Sequence, residues 1–176
     1  MHGLEGTTVD DIARDAGYTR GAFYANFANK EAVMRELIEH GFEGDLAGIE
    51  SMHDDLDHAA ARYGELARHF FSTPENTLWM LEFQLAAARH PELRGAYSEQ
   101  FDRLRQAVGS VIRATYERMG SDQAADAEQF ADVFIAVLSG LSLTRILDPE
   151  KIDPELFEQT FRALVRGIPH ALSERT

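Results

Sequence analysis

Apolar side chains recur every three to four residues along almost the whole chain, and no stretch alternates residue by residue as a half-buried strand does. The period predicts an all-α protein. Thr8 is placed to cap a helix starting at Val9, with Asp11 in the capping-box position, and Gly17 to end it in a left-handed turn. Thr19 caps a short helix from Arg20 to about Phe27. Asn29 caps a third, with Glu31 in the first turn where the helix dipole favours it. Val33, Leu37 and Ile38 carry this helix on until Gly41, Gly44 and Gly48 weaken it. Those glycines suit a hinge, a helix end or a close crossing equally well.

Further along, the acidic run 54–57 opens a helix through Tyr63, Leu66 and Phe70. Pro74 occupies a first helical position, and the helix it starts runs through Trp79 and Phe83 until His90 and Pro91. From about Glu92, Tyr97, Phe101, Leu104, Val108, Val111 and Thr115 form one stripe, broken at Gly120. Phe130, Val133, Phe134, Val137, Leu138 and Leu141 make another, ending near Asp148. Asp153 and Pro154 open a last helix containing Leu156, Phe157, Phe161, Leu164, Val165 and Ile168. There is no internal repeat and no low-complexity tract.

Composition narrows the chemistry. A chain of 176 residues with 44% hydrophobic content has enough apolar surface for one or two folded domains. The absence of cysteine excludes disulfides, thiolate metal sites and cysteine nucleophiles. No apolar run reads as long enough to span a bilayer, and the first residues do not form a signal peptide, so a cytoplasmic protein with no membrane partner is expected. A formal charge of −13 leans against nucleic acid, because DNA binding needs local positive charge.

Residues 7–24 nevertheless have helix-turn-helix logic: two short helices meeting at a tight turn that contains glycine. Ala13 and Ala16 are small where helices approach, and Ile12, Phe23 and Phe27 supply an apolar centre. The second helix offers Thr19, Arg20, Ala22, Tyr24, Ala25 and Asn26, small or hydrogen-bonding groups suited to a groove. An ordinary αα-hairpin is the plain alternative.

The strings TTVDDIA, AGYTRGAFYANF and NKEA resemble the DNA-binding region of TetR-family transcriptional repressors over residues 7–32. The resemblance implies an N-terminal helix-turn-helix domain (residues 1–45) followed by a helical ligand-binding and dimerisation domain (residues 46–176). It implies phosphate contacts at Thr8, Tyr24 and Lys30, with Thr19, Arg20, Gly21 and Ala22 at the major-groove surface. Arg20 suits a guanine, which its fork can bond twice, or a phosphate. The charge objection weakens at this point: residues 17–30 contain Arg20 and Lys30 and no acid, whereas residues 41–176 hold 13 basic and 23 acidic residues. The family also places an apolar helix ahead of the position of Thr7. Residues 1–6 resemble only its tail, so the chain is expected to start late within that helix.

The remaining chain resembles the family in architecture. The stretch 134–168 looks like the helix pair through which these proteins dimerise, with Phe134, Val137, Leu138, Leu141, Phe157, Phe161 and Leu164 on the apolar faces. Phe70, Trp79, Phe83, Tyr97, Phe101 and Leu104 are candidates to line an apolar effector pocket, with a filled core as the alternative role for each. Tyr97 and Gln84 are candidates to orient a ligand. His58 and Asp54, four apart, are explained by an acidic helix start rather than a metal site. With no nucleophile elbow, phosphate loop or HExxH, no catalytic residue, metal or cofactor is expected, and the protein is not read as an enzyme. The expected function is a ligand-responsive homodimeric repressor on a palindromic double-stranded DNA operator, released by a small apolar effector. The alternative is a dimeric ligand-binding or protein-interaction module without DNA binding.

Overall fold

The computed structural model of the chain describes residues 3–40, 43–50, 58–62, 64–65, 74–120, 127–148 and 150–173. Every regular element among them is helical: α1 (Gly3–Gly6), α2 (Val9–Asp15), α3 (Arg20–Asn26), α4 (Lys30–His40), α5 (Glu43–Glu50), α6 (Pro74–Arg89), α7 (Pro91–Arg118), α8 (Ala127–Leu147) and α9 (Pro154–Ser173). Residues 58–62 and 64–65 are helical as well. The acidic run 54–57 and the apolar Tyr63, Leu66 and Phe70 lie outside the described residues.

The helix ends follow from side-chain chemistry. Thr8 caps α2 in a reciprocal box: the Asp11 amide donates to Thr8 Oγ1 at 3.2 Å, and the Thr8 amide donates to Asp11 Oδ2 at 3.0 Å. Gly17, at φ 76°, ends α2. There the Tyr18 amide donates to the Ala13 carbonyl and the Gly17 amide to that of Arg14, the two bonds of a Schellman turn. Thr19 caps α3 through the Ala22 amide, and Asn29 caps α4 through the Ala32 amide. Pro74 and Pro154 sit at first helical positions as their fixed φ favours. The third predicted helix is described as far as His40 and helical structure resumes in α5, which accommodates Gly44 and Gly48, while Gly41 lies outside the described residues.

The chain divides into two compact units that are interleaved in sequence: residues 1–43 with 78–101, and residues 44–77 with 102–176. In the first unit Met34 and Ile38 of α4 pack with Phe83 and Ala86 of α6 and Leu93 of α7, and Leu4, Trp79, Ala96 and Tyr97 close around them. Two long-range hydrogen bonds tie α4 to the first part of α7. Arg35 donates to the Glu92 carbonyl at 3.1 Å, and the buried Gln100 donates to the Glu39 carbonyl at 3.0 Å.

The core of the second unit holds Val111, Ile112 and Tyr116 of α7, Phe130 and Phe134 of α8, and Phe157, Phe161 and Val165 of α9. Phe134 meets Phe161 edge-on at 5.2 Å. The expectation that no segment is long enough to span a bilayer is corrected by α8, which by length and composition alone is long and apolar enough. Ser139, Gly140 and Ser142 interrupt its apolar letters and hid the run. Phe130, Ala131, Phe134, Ile135 and Ser142 give it one buried face. Ser142 satisfies its hydroxyl on the Leu138 carbonyl at 2.8 Å.

Candidate nucleic-acid interface

Helices α2 and α3 each bury one side chain, Ala13 and Phe23, and the Phe27 ring lies tilted against Phe23 at 5.7 Å. Ala16, expected at the close approach, is instead the exposed C-cap of α2. Burying Phe23 turns the opposite face of α3 outward, because side chains three to four apart share a face. Thr19, Arg20, Gly21 and Tyr24 are all exposed, Ala22 is half-buried, and Tyr18 in the turn is 68% exposed. The two exposed tyrosines give this surface hydrogen-bonding hydroxyls beside its arginine. Tyr18 was in the motif but not among the candidates, since a turn aromatic has no helical phase to betray its direction.

Arg20 is held from two sides. Its Nη1 donates to Asp10 Oδ2 at 2.9 Å, and its guanidinium lies 5.6 Å from the centre of the Tyr24 ring. Asp10 belongs to α2, ten residues earlier, and its acceptor role is invisible to any local pattern. Lys30, implied as a phosphate contact by the resemblance, is turned toward the backbone of the preceding segment. Its ammonium donates to the carbonyls of Leu4 at 2.7 Å and Thr7 at 3.1 Å, so the cation sits at the C-terminal end of α1.

The Asp11 carboxyl is pushed down to about 2, first by the Thr8 hydroxyl and amide bonds and then by Arg14, whose Nη2 lies 2.6 Å away. A carboxylate with a depressed folded value stabilises the fold above its ordinary range, and that contribution is lost as pH falls through the depressed value. The N-terminus of α2 is therefore expected to loosen between about pH 4 and 2. Carboxyl-carbon NMR titration checks this: Thr8→Ala should return Asp11 toward an ordinary carboxyl, and an unmoved titration would separate Asp11 from the cap.

The candidate effector residues divide between the two units. Phe83 is fully buried in the α4–α6–α7 cluster, and Trp79 lies edge-on to it at 4.5 Å. Tyr97 is held by a side-chain hydrogen bond to Gln84, while burial raises its hydroxyl above the ordinary range. It stacks on Phe101 at 6.4 Å. Leu104 is half-buried in the second unit, and Phe70 lies outside the described residues.

Of the candidate dimer residues, Phe134, Phe157 and Phe161 are no more than 2% exposed and are used inside the chain's own helix pair. Val137, Leu138, Leu141 and Leu164 are half-buried. The outward face of α8 is a different stripe: Val133, Ala136, Gly140, Leu143 and Leu147 are all exposed, at intervals of three and four. Leu147 reaches 77% exposure and Val133 47%.

Comparisons with known proteins fit this geometry. Residues 1–37 match the family described as bacterial regulatory proteins, tetR family, and residues 54–168 match the tetracyclin repressor-like C-terminal domain. The negative transcriptional regulator IcaR of the icaADBC biofilm operon, from Staphylococcus epidermidis, is 29% identical over 86 residues, 49% of this chain and 46% of that protein. The chain spans about half the length of the curated relatives it matches first. A transcriptional regulator from Pseudomonas aeruginosa PAO1 has the same fold at a TM-score of 0.83 and 22% identity, covering 99% of this chain and 86% of that one. The regulator FadR from Bacillus subtilis, solved with stearoyl-CoA, follows at 0.75 and 18% identity, covering 94% and 91%. At these identities the structural likeness establishes the fold alone.

Proposed function

The chain belongs to the TetR family of bacterial regulatory proteins, and from that premise we propose that it is a ligand-responsive, homodimeric transcriptional repressor acting on DNA in the cytoplasm. The observation that carries this reading is the outward face of α3. Thr19, Arg20, Gly21 and Tyr24 stand exposed on a helix fixed by buried Phe23, within a stretch, residues 17–30, that has no acidic residue. Two such helices, one per subunit, would enter successive major-groove faces of a palindromic operator. Thr8 and Tyr24 are the proposed phosphate contacts that set register, and Thr19, Arg20, Gly21 and Ala22 the groove surface. Lys30 reaches a phosphate in this reading only by leaving the carbonyls it now holds.

Release is a population shift: the effector binds better to a conformation whose heads are wrongly spaced for the operator. A small apolar effector is supported by the apolar helical body of the second unit. The acidity of the remainder restrains non-specific DNA binding, and Asp10, an acid set against the reading helix, is paired with Arg20.

Titrating the chain with genomic operator fragments at several salt concentrations tests the reading. Affinity is expected to fall steeply with salt, by roughly 0.9 log units per log unit for each phosphate neutralised. Absent or salt-insensitive binding would favour a dimeric ligand-binding or protein-interaction module instead.

A further inference from the structure

Within the second unit, the C-terminal part of α7 faces α8 and α9 across an apolar gap lined by Ile112, Tyr116, Phe130, Phe134, Leu164 and Val165. The gap is too narrow for a water molecule. Tyr116 is 1% exposed, yet its hydroxyl has no hydrogen-bond partner among the described residues. Its neighbour Thr115 is as deeply buried but donates to the Val111 carbonyl at 2.8 Å.

Two unfavourable features therefore coincide at one place. A hydroxyl removed from water without a partner loses its hydration uncompensated. Side chains bordering a gap that water cannot fill also forfeit dispersion contacts. Phenylalanine would occupy the same space without the first loss, so packing gives no reason for a tyrosine here. One kind of molecule recovers both losses: an apolar body to fill the widened gap, with one oxygen to accept from the hydroxyl. No charged side chain among the described residues lines the gap, so an ionised ligand would be stranded there.

We infer that Tyr116 is the hydrogen-bond donor of an effector site that opens between α7 and the α8–α9 pair, and that the site takes a neutral apolar molecule bearing a single acceptor oxygen, such as a ketone or ester. The inference deepens the ligand-responsive reading proposed above and rests on it. Burial pushes the Tyr116 hydroxyl up to about 12, so it stays protonated and able to donate at every physiological pH. Opening must part the edge-on contact of Tyr116 with Phe130, 5.7 Å between ring centres, and shift α8. The same helix carries the exposed apolar stripe from Val133 to Leu147, so occupancy also moves that surface.

Thermal unfolding of the full chain and of Tyr116→Phe, each with 2-heptanone or with n-heptane, tests the site. Without ligand, Tyr116→Phe should melt at or above the parent, because it discards an unsatisfied hydroxyl. The ketone should raise the melting temperature of the parent and bind Tyr116→Phe at least tenfold more weakly, while the alkane should bind both alike. Leu164→Phe, which fills the gap, should abolish both shifts and keep the parent's circular dichroism. Equal ketone affinity in parent and Tyr116→Phe, no ketone binding to the parent, or a Tyr116→Phe variant melting well below it would each overturn the inference. Operator binding measured alongside separates the two readings. Ketone binding without operator binding leaves the site standing and sinks the regulator, and the converse leaves the regulator and sinks the site.

Discussion

Arg20→Ala is expected to weaken binding to the operator by at least about 30-fold when both heads are engaged, and to erase the preference for one base pair in each half-site. The magnitude follows from a lost bidentate contact of about 1–3 kcal/mol per half-site, with about 1.4 kcal/mol for each factor of ten. A guanidinium reads guanine only if its plane is presented edge-on to two acceptors, and that needs something behind it. Here Asp10 takes one edge at 2.9 Å and Tyr24 lies against it at 5.6 Å. Both partners of the ion pair are more than half exposed, so the pair adds little stability and its value lies in orientation. Asp10→Asn is then expected to keep the fold and most of the affinity while relaxing the same base position. Binding-site selection from a randomised half-site reads this out directly. A phosphate role for Arg20 predicts something else: uniform weakening across sequences and a salt slope shallower by about 1. Unchanged affinity on removing Arg20 would sink both roles.

What the sequence discloses about this protein is whatever depends on near neighbours. Thr8 with Asp11, Thr19 with Ala22 and Asn29 with Ala32 are each three residues apart, and each forms the expected cap. Gly17 adopts the left-handed turn its position demanded. Contacts across many residues are silent by comparison. Asp10 reaching Arg20, Lys30 reaching the end of α1 and Gln100 reaching Glu39 leave no periodic trace. The unit boundaries are silent for the same reason, since residues 78–101 join residues 1–43 through a core of Met34, Ile38 and Phe83 that only folding assembles.

Helix α8 shows a second kind of limit. An amphipathic helix announces its buried face, but one that is apolar on nearly every side has no phase to read. The sequence puts Phe134, Val137, Leu138 and Leu141 on the pairing face. Packing against α9 buries the first of these and leaves Val133, Ala136, Gly140, Leu143 and Leu147 outside. The Tyr116 hydroxyl is a third case, because a sequence records that a donor exists and not that it lacks a partner.

The largest effect is expected from charging that outward stripe. Leu143→Glu should convert a dimer into a monomer at micromolar concentration by sedimentation, with little change in thermal stability, because Leu143 is 39% exposed in the single chain. Ala136 and Gly140 leave the middle of the stripe shallow, and a Cβ at Gly140 would meet nothing within 4 Å. A second copy of α8 can therefore approach closely there, and an apolar row of this length is otherwise a standing invitation to association. Operator affinity should then drop by about 100-fold or more, because joining two heads raises apparent affinity by roughly that factor through effective concentration alone. Phe134→Ala provides the contrast. It empties a site that is 1% exposed and should cost about 3–5 kcal/mol of folding stability, so it lowers affinity only by unfolding the chain. If Leu143→Glu remains dimeric, the subunits pair through a surface other than the outward stripe of α8.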